Sequence, residues 1–154
     1  MEGTDLRDSE EIVVRRAEDK DMEAVMKLQV ATFTGEQQIP EELICLPEER
    51  RPQWWAAFRG EELMGAVASW QEDGVQHAGR FAVNPDSRGL GLGKKLARKA
   101  FDDLFAQDVE EIHMEARDVS VHIVQAMGGE VIGPAFDFYV GSVTPMKIQR
   151  EKYK

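Results

Sequence analysis

Arg88-Gly89-Leu90-Gly91-Leu92-Gly93-Lys94 decides how this chain is read. An apolar run, Phe81-Ala82-Val83, leads into it through Asn84-Pro85, and a helical pattern follows from Lys94 to Phe105. A strand, a glycine loop and a helix start in that order form an anion-binding corner. Glycines let the backbone approach a ligand and take dihedrals that side chains disfavour. A helix start offers unpaired N–H groups and the positive end of its dipole. Phosphate is the common occupant of such a site.

Charge agrees with that reading. The chain is acidic, with a net charge of −10. Yet Arg80, Arg88, Lys94, Lys95, Arg98 and Lys99 cluster around the loop against one acid, Asp86. A basic island in an acidic protein suits a local polyanion. Nucleic acid calls for a broad basic face and is not expected as a partner. The acidic remainder also disfavours anionic membranes, and it could attract a cationic amine or simply be a solvated surface.

At 154 residues the chain is expected to form one domain over 12–150, after a polar, frayed tail over 1–11. Apolar and charged fractions of 42% and 31% are ordinary for globular proteins. No apolar run approaches the roughly 20 residues that span a bilayer, and the N-terminus does not read as a signal peptide. The single Cys45 cannot form an intrachain disulfide, which fits a cytoplasmic protein. It is expected to be a structural or incidental thiol, of the kind that is usually buried.

Hydrophobic periodicity orders the elements. Ile12–Arg16 reads as a strand. Asp19 or Asp21 caps a helix through Phe33. Residues 34–52 carry Gly35, Pro40, Pro47 and Pro52 and read as loop, with one short helix near Glu41–Cys45. Trp54–Phe58 and Leu63–Trp70 flank a glycine turn as a hairpin. Gln76–Asn84 is a fourth strand, Lys94–Gln107 a helix, Glu111–Arg117 a fifth strand and Ser120–Met127 a helix. Val131–Val140 and Val143–Gln149 read as a closing hairpin.

Other glycine motifs fail at named positions. A nucleotide-hydrolysing P-loop needs glycine at 88 and Ser or Thr at 95, where Arg and Lys stand. A dinucleotide fingerprint needs glycine at 94 or 96. The pattern present is R-x-x-G-x-G, as Arg88, Gly91 and Gly93. With the upstream strand, the Asn84-Pro85 pair, the downstream helix and the element order over 12–149, the chain resembles the GNAT superfamily of N-acetyltransferases.

That resemblance implies an α/β (α+β) fold: a mixed, mostly antiparallel sheet of about seven strands, flanked by helices and splayed between strands four and five. It implies acetyl-CoA as co-substrate. Backbone N–H groups of Gly89, Leu90, Gly91, Leu92, Gly93 and Lys94 would cradle the pyrophosphate, with Arg88 adding charge. The backbone of Phe81, Ala82 and Val83 would pair with the pantetheine arm, and the Val83 N–H would face the thioester carbonyl. A homodimer is a frequent assembly in such families.

Acetyl transfer to an amine chiefly needs a base, because such an amine is mostly protonated at pH 7. Glu115, on the fifth strand, is the first candidate, ahead of Glu72 and His77. His113 and His122 read as ordinary strand and helix residues. No metal-ligand spacing is present. Many family members carry a Tyr acid on the helix after the fifth strand, and here Val124 stands there. Tyr139 is a substitute acid or a packing residue of the closing hairpin. Trp54, Trp55 and Trp70 pack a strand pair or line an acceptor pocket. Residues 33–47, with Glu36, Glu41 and Glu42, occupy the family's acceptor-loop position. Three functions follow: acetyl-CoA N-acetyltransferase, long-chain acyltransferase of the N-acyl-amino-acid synthase type, and non-catalytic acyl-CoA-binding module.

Overall fold

Trp54–Phe58 and Leu63–Trp70 are apolar at nearly every position, so strands built from them need cover on both faces. The computed structural model, which describes residues 11–154, supplies that cover. β1 (Ile12–Arg16), β2 (Gln53–Arg59), β3 (Glu62–Glu72) and β4 (Val75–Val83) form an antiparallel meander. Trp54, Ala56 and Phe58 of β2 pack under Val25 of helix α1 (Met22–Gln29). Trp55 and Ala57 pack on the opposite face, with Leu96, Phe101 and Leu104 of helix α2 (Leu92–Ala106). Trp55 is fully buried and donates its Nε1–H to Asp103 Oδ2 at 2.8 Å. Its burial therefore leaves no indole donor unpaired.

β5 (Glu111–Arg117) runs parallel to β4, and helix α3 (Asp118–Ala126) follows it directly. β6 (Glu130–Val131), β7 (Phe136–Asp137) and β8 (Ser142–Gln149) complete an eight-stranded, mostly antiparallel sheet in the order β1-β2-β3-β4-β5-β8-β6, with β7 also on β8. This is the mixed, helix-flanked architecture expected from the sequence.

Several boundaries differ, each for a local reason. α2 starts at Leu92 rather than Lys94, because Gly91 takes a left-handed conformation and caps it. α1 continues through a π-helical turn, Val30–Glu36, which buries Thr32 and Phe33. The helix expected near 41–45 is a three-residue turn, Glu41–Leu43. The long strand expected over 131–140 is reduced to two dipeptides, β6 and β7. They pair with β8 on either side of Pro145, and Gly133 lies against that proline ring. Proline interrupts a ladder because it has no N–H to donate. The tail expected at 1–11 lies, apart from Glu11, outside the described residues.

One irregularity shapes everything downstream. Ala66 faces Ala82, but Ala68 faces Gly79, so Arg80 and Phe81 of β4 together oppose Val67. This is a β-bulge, and Arg80 sits in it at φ +61°. Such a dihedral is uncommon for a residue with a side chain. Three hydrogen bonds hold it. Buried Gln29 of α1 donates its Nε2–H to the Arg80 carbonyl at 2.9 Å. The Arg80 guanidinium in turn donates to the carbonyls of Leu43 (2.8 Å) and Ile44 (3.3 Å). Replacing Gln29 by Leu leaves the Arg80 carbonyl without that partner, and chemical denaturation is expected to show a loss of about 1–3 kcal/mol.

Candidate active site

The glycine loop is built from its flanks inward. Asn84 accepts a hydrogen bond from the Asp86 N–H at 3.1 Å, opening a short turn, Pro85–Ser87. That turn delivers the chain to Gly89 (φ +89°) and Gly91 (φ +71°). A Cβ added at either would meet no atom within 4 Å, so backbone conformation, not crowding, selects glycine there. The space above the loop is a cavity of about 510 Å³ running from Thr32 and Glu36 past the loop to Ser120 and Val124 of α3. The N-terminus of α2 opens into it, with Lys94 on the rim.

Arg88 is already engaged. Its Nη2 lies 2.8 Å from Glu36 Oε1 and its Nε donates to the Val83 carbonyl at 3.3 Å. The pair ties the loop to the turn after α1. Both partners are about half exposed, so the tie is weak.

The bulge acts on the other side of the loop. β4 and β5 pair only at Gln76↔Ile112 and His77↔His113. Beyond those rungs their edges part, and a small cavity of about 50 Å³ lies between residues 78–81 and 114–117. Phe81, Ser120 and Val124 of this wedge also line the glycine-loop cavity. Arg80, Glu115 and Arg117 also line a second large cavity, of about 460 Å³, on the far side. The wedge therefore joins two chambers through the sheet.

Expected site residues divide accordingly. Phe81, Val83, Arg88, Gly89, Gly91, Leu92, Gly93 and Lys94 all line the glycine-loop cavity. The Ala82 side chain points the other way, into a cluster with Phe33, Ile39 and Ile44, which leaves only its backbone for the wedge side. The Leu90 side chain is exposed and lines neither chamber. Glu115, Glu72 and His77 all reach the far chamber. Glu115 has no described cation within 4.0 Å, whereas Glu72 is 3.5 Å from Arg50. Tyr139 lines neither chamber and is half exposed, its ring edge-on to Phe138. Of the three tryptophans only Trp70 lines the far chamber. Cys45 is exposed, against the usual burial of a lone thiol.

His113, Arg117 and Phe138 also line that chamber, although the sequence reading left them out. The alternation of β5 carried the signal for two of them. Ile112, Met114 and Ala116 enter the core, so His113, Glu115 and Arg117 share the opposite face. His113 Nε2 lies 2.5 Å from Glu111 Oε2, a contact that holds the Glu111 carboxyl below its usual range. The His77 and His113 rings stand 6.1 Å apart, and Trp70 stacks on His77. Burial pushes His77 below the usual imidazole range, against the opposing pull of Glu72.

The acetyltransferase (GNAT) family model matches residues 22–128, well over half the chain. The chain belongs to that family. The co-substrate of GNAT proteins is an acyl-CoA. Its fold is also similar to that of Escherichia coli ElaA, with a TM-score of 0.75 and 17% identity over 90% of this chain and 99% of that one. A putative N-acetyltransferase from Lactobacillus plantarum gives 0.74 and 18% over 90% and 97%. FeeM, an N-acyl amino acid synthase from uncultured soil microbes, gives 0.75 and 11% over 92% of each chain. No curated protein sequence matches this chain. Among the described residues no helix is long and apolar enough to cross a membrane.

The GNAT chain's own groups fit an acyl-CoA. Open glycine backbone, a helix N-terminus and two cations surround one chamber, and β4 beyond His77 has no ladder partner on β5 beside it. The electrostatics of the other chamber can be checked directly. In a proton NMR titration, the His77 ring is expected to titrate below pH 6.5, the ordinary histidine value. A midpoint at or above that value would contradict its desolvation.

Proposed function

We propose that this protein moves an acetyl group from acetyl-CoA to a primary amine, on a small molecule or a protein, by direct attack. One observation carries the reading: the β4–β5 wedge joins a chamber suited to phosphate with a chamber holding an unpaired carboxylate, Glu115. Acyl-CoA supplies an acyl group already activated as a thioester, with a thiol of pKa near 8.5 as leaving group. The backbone N–H groups from Gly89 to Lys94 hold the pyrophosphate. Arg88 and Lys94 add charge to it once Arg88 turns from Glu36. The backbone of Phe81, Ala82 and Val83 pairs with the pantetheine arm as an added strand.

Glu115 takes the proton from the incoming amine, directly or through water, and so frees the nitrogen lone pair. His77 is kept neutral by its burial at neutral pH and offers a second acceptor in the same chamber. Val124 cannot donate a proton to sulfur, so the leaving group departs without a tyrosine acid.

The test is thiol release from acetyl-CoA in the presence of a broad amine panel. Turnover above buffer is expected for the wild type. Glu115→Gln is expected to lower kcat by about 100-fold or more while leaving the acetyl-CoA KM within a factor of two. Arg88→Ala is expected to raise that KM and spare kcat. Octanoyl- and palmitoyl-CoA run beside acetyl-CoA decide the donor length. No turnover with any amine, from a folded protein, would overturn the reading.

A further inference from the structure

Three charges in the far chamber lack a counter-ion among the described residues, Arg80 on β4 and Glu115 and Arg117 on β5, and the last two lie two residues apart on one strand face. Glu115 has no described cation within 4.0 Å, and Arg117 has no described carboxylate within 4.0 Å. Alternate residues of a strand are about 6.5 Å apart along it, yet these opposite charges do not pair with each other. Among the described residues the Arg117 guanidinium makes one hydrogen bond, from Nη1 to the Val140 carbonyl at 2.7 Å, and its Cζ lies 5.6 Å from the Phe138 ring centre. The Nε and Nη2 edge of the fork is left over. Burial pushes Arg117 below its ordinary value, with Asp118 as the one acid that opposes the shift.

A partly desolvated guanidinium without an anion is costly, and an incoming carboxylate removes that cost. The planar fork accepts a carboxylate through two parallel bonds, which an ammonium cannot do. Arg80 adds positive potential from the opposite strand, with its Nε and Nη2 turned to the Ile44 and Leu43 carbonyls. The remaining walls are mixed: Phe33, Ile39, Ile44, Ile132 and Phe138 are apolar, and Gln37, Glu72, His77 and His113 are polar. At about 460 Å³ the chamber has room for a small molecule but not a folded chain.

We infer that the acceptor is a free amino acid, its carboxylate on Arg117 and its amine on Glu115. This rests on the acetyl-transfer reading and narrows it from amines in general. The reaction balances: one ammonium proton goes to Glu115, the freed nitrogen bonds to the acyl carbon, the carbon–sulfur bond breaks, and the departing thiolate takes the second nitrogen proton and leaves as thiol. The product is an N-acetyl amino acid.

The experiment compares L-phenylalanine and L-methionine with L-phenylalaninamide and phenethylamine at fixed acetyl-CoA, following thiol release. The amino acids are expected to exceed the amide and the amine in kcat/KM by about 10- to 100-fold, the worth of a hydrogen-bonded charge pair. Arg117→Gln is expected to remove that advantage through KM, costing the amino acids far more than the amide, and Arg117→Lys to restore part of it. Equal use of amide and amino acid would overturn the acceptor assignment while leaving acetyl transfer standing. An Arg117→Gln loss that falls equally on both would do the same. If no acceptor is turned over, calorimetric titration of L-phenylalanine into the CoA-loaded protein decides the site separately. Binding that disappears in Arg117→Gln supports it, and no binding to wild type overturns it.

Discussion

The bulge at Arg80 is the constraint on which the rest of the site depends. A regular ladder between β4 and β5 would close the sheet and leave two unconnected surfaces. One extra residue in β4 turns its edge away from β5 after a single pair of rungs, Gln76↔Ile112 and His77↔His113. The left-handed dihedral this requires is unfavourable for arginine. Gln29 from one side and the carbonyls of Leu43 and Ile44 from the other hold it in place. The helix that covers the sheet and the loop that covers the far chamber are therefore fastened to the same residue. Core packing, wedge and far chamber form one mechanical unit.

Charge is distributed to match. The basic island sits at the glycine loop, where the α2 N-terminus already favours an anion. Glu36 neutralises Arg88 while no phosphate competes for it, and the exposure of that pair keeps the exchange cheap. Across the wedge the rule reverses. There exposed Glu115 and partly buried Arg117 have no counter-ion within 4.0 Å among the described residues, which leaves both charges open to a ligand.

Much of this was legible in the sequence because it is local. The glycine loop, its upstream strand and its downstream helix are contiguous, and the double-sided burial of β2 and β3 shows in their unbroken apolar runs. The element order and the family followed from them. What stayed hidden depends on register and on distant partners. Nothing in Ala78-Gly79-Arg80-Phe81 announces a bulge, since it is stabilised by Gln29, 51 residues away. The pairing of His77 with His113 requires the parallel register of β4 and β5. The strand expected over 131–140 gave way where Gly133 lies against the Pro145 ring across the ladder, a contact that alternation within one segment cannot reveal. Tyr139 drew attention as a substitute acid on that hairpin, but it lies outside both chambers. Arg117 and His113 were readable in principle from the face opposite Ile112 and Met114.

The central claim is that acyl-CoA enters the wedge with its phosphates on the glycine loop. Backbone-amide NMR of the protein titrated with CoA tests it most directly. The account predicts the largest shift changes at the amides of residues 89–94 and 81–83, on the two walls of one chamber. Saturation with those amides unmoved, and the changes elsewhere on the surface, would contradict it.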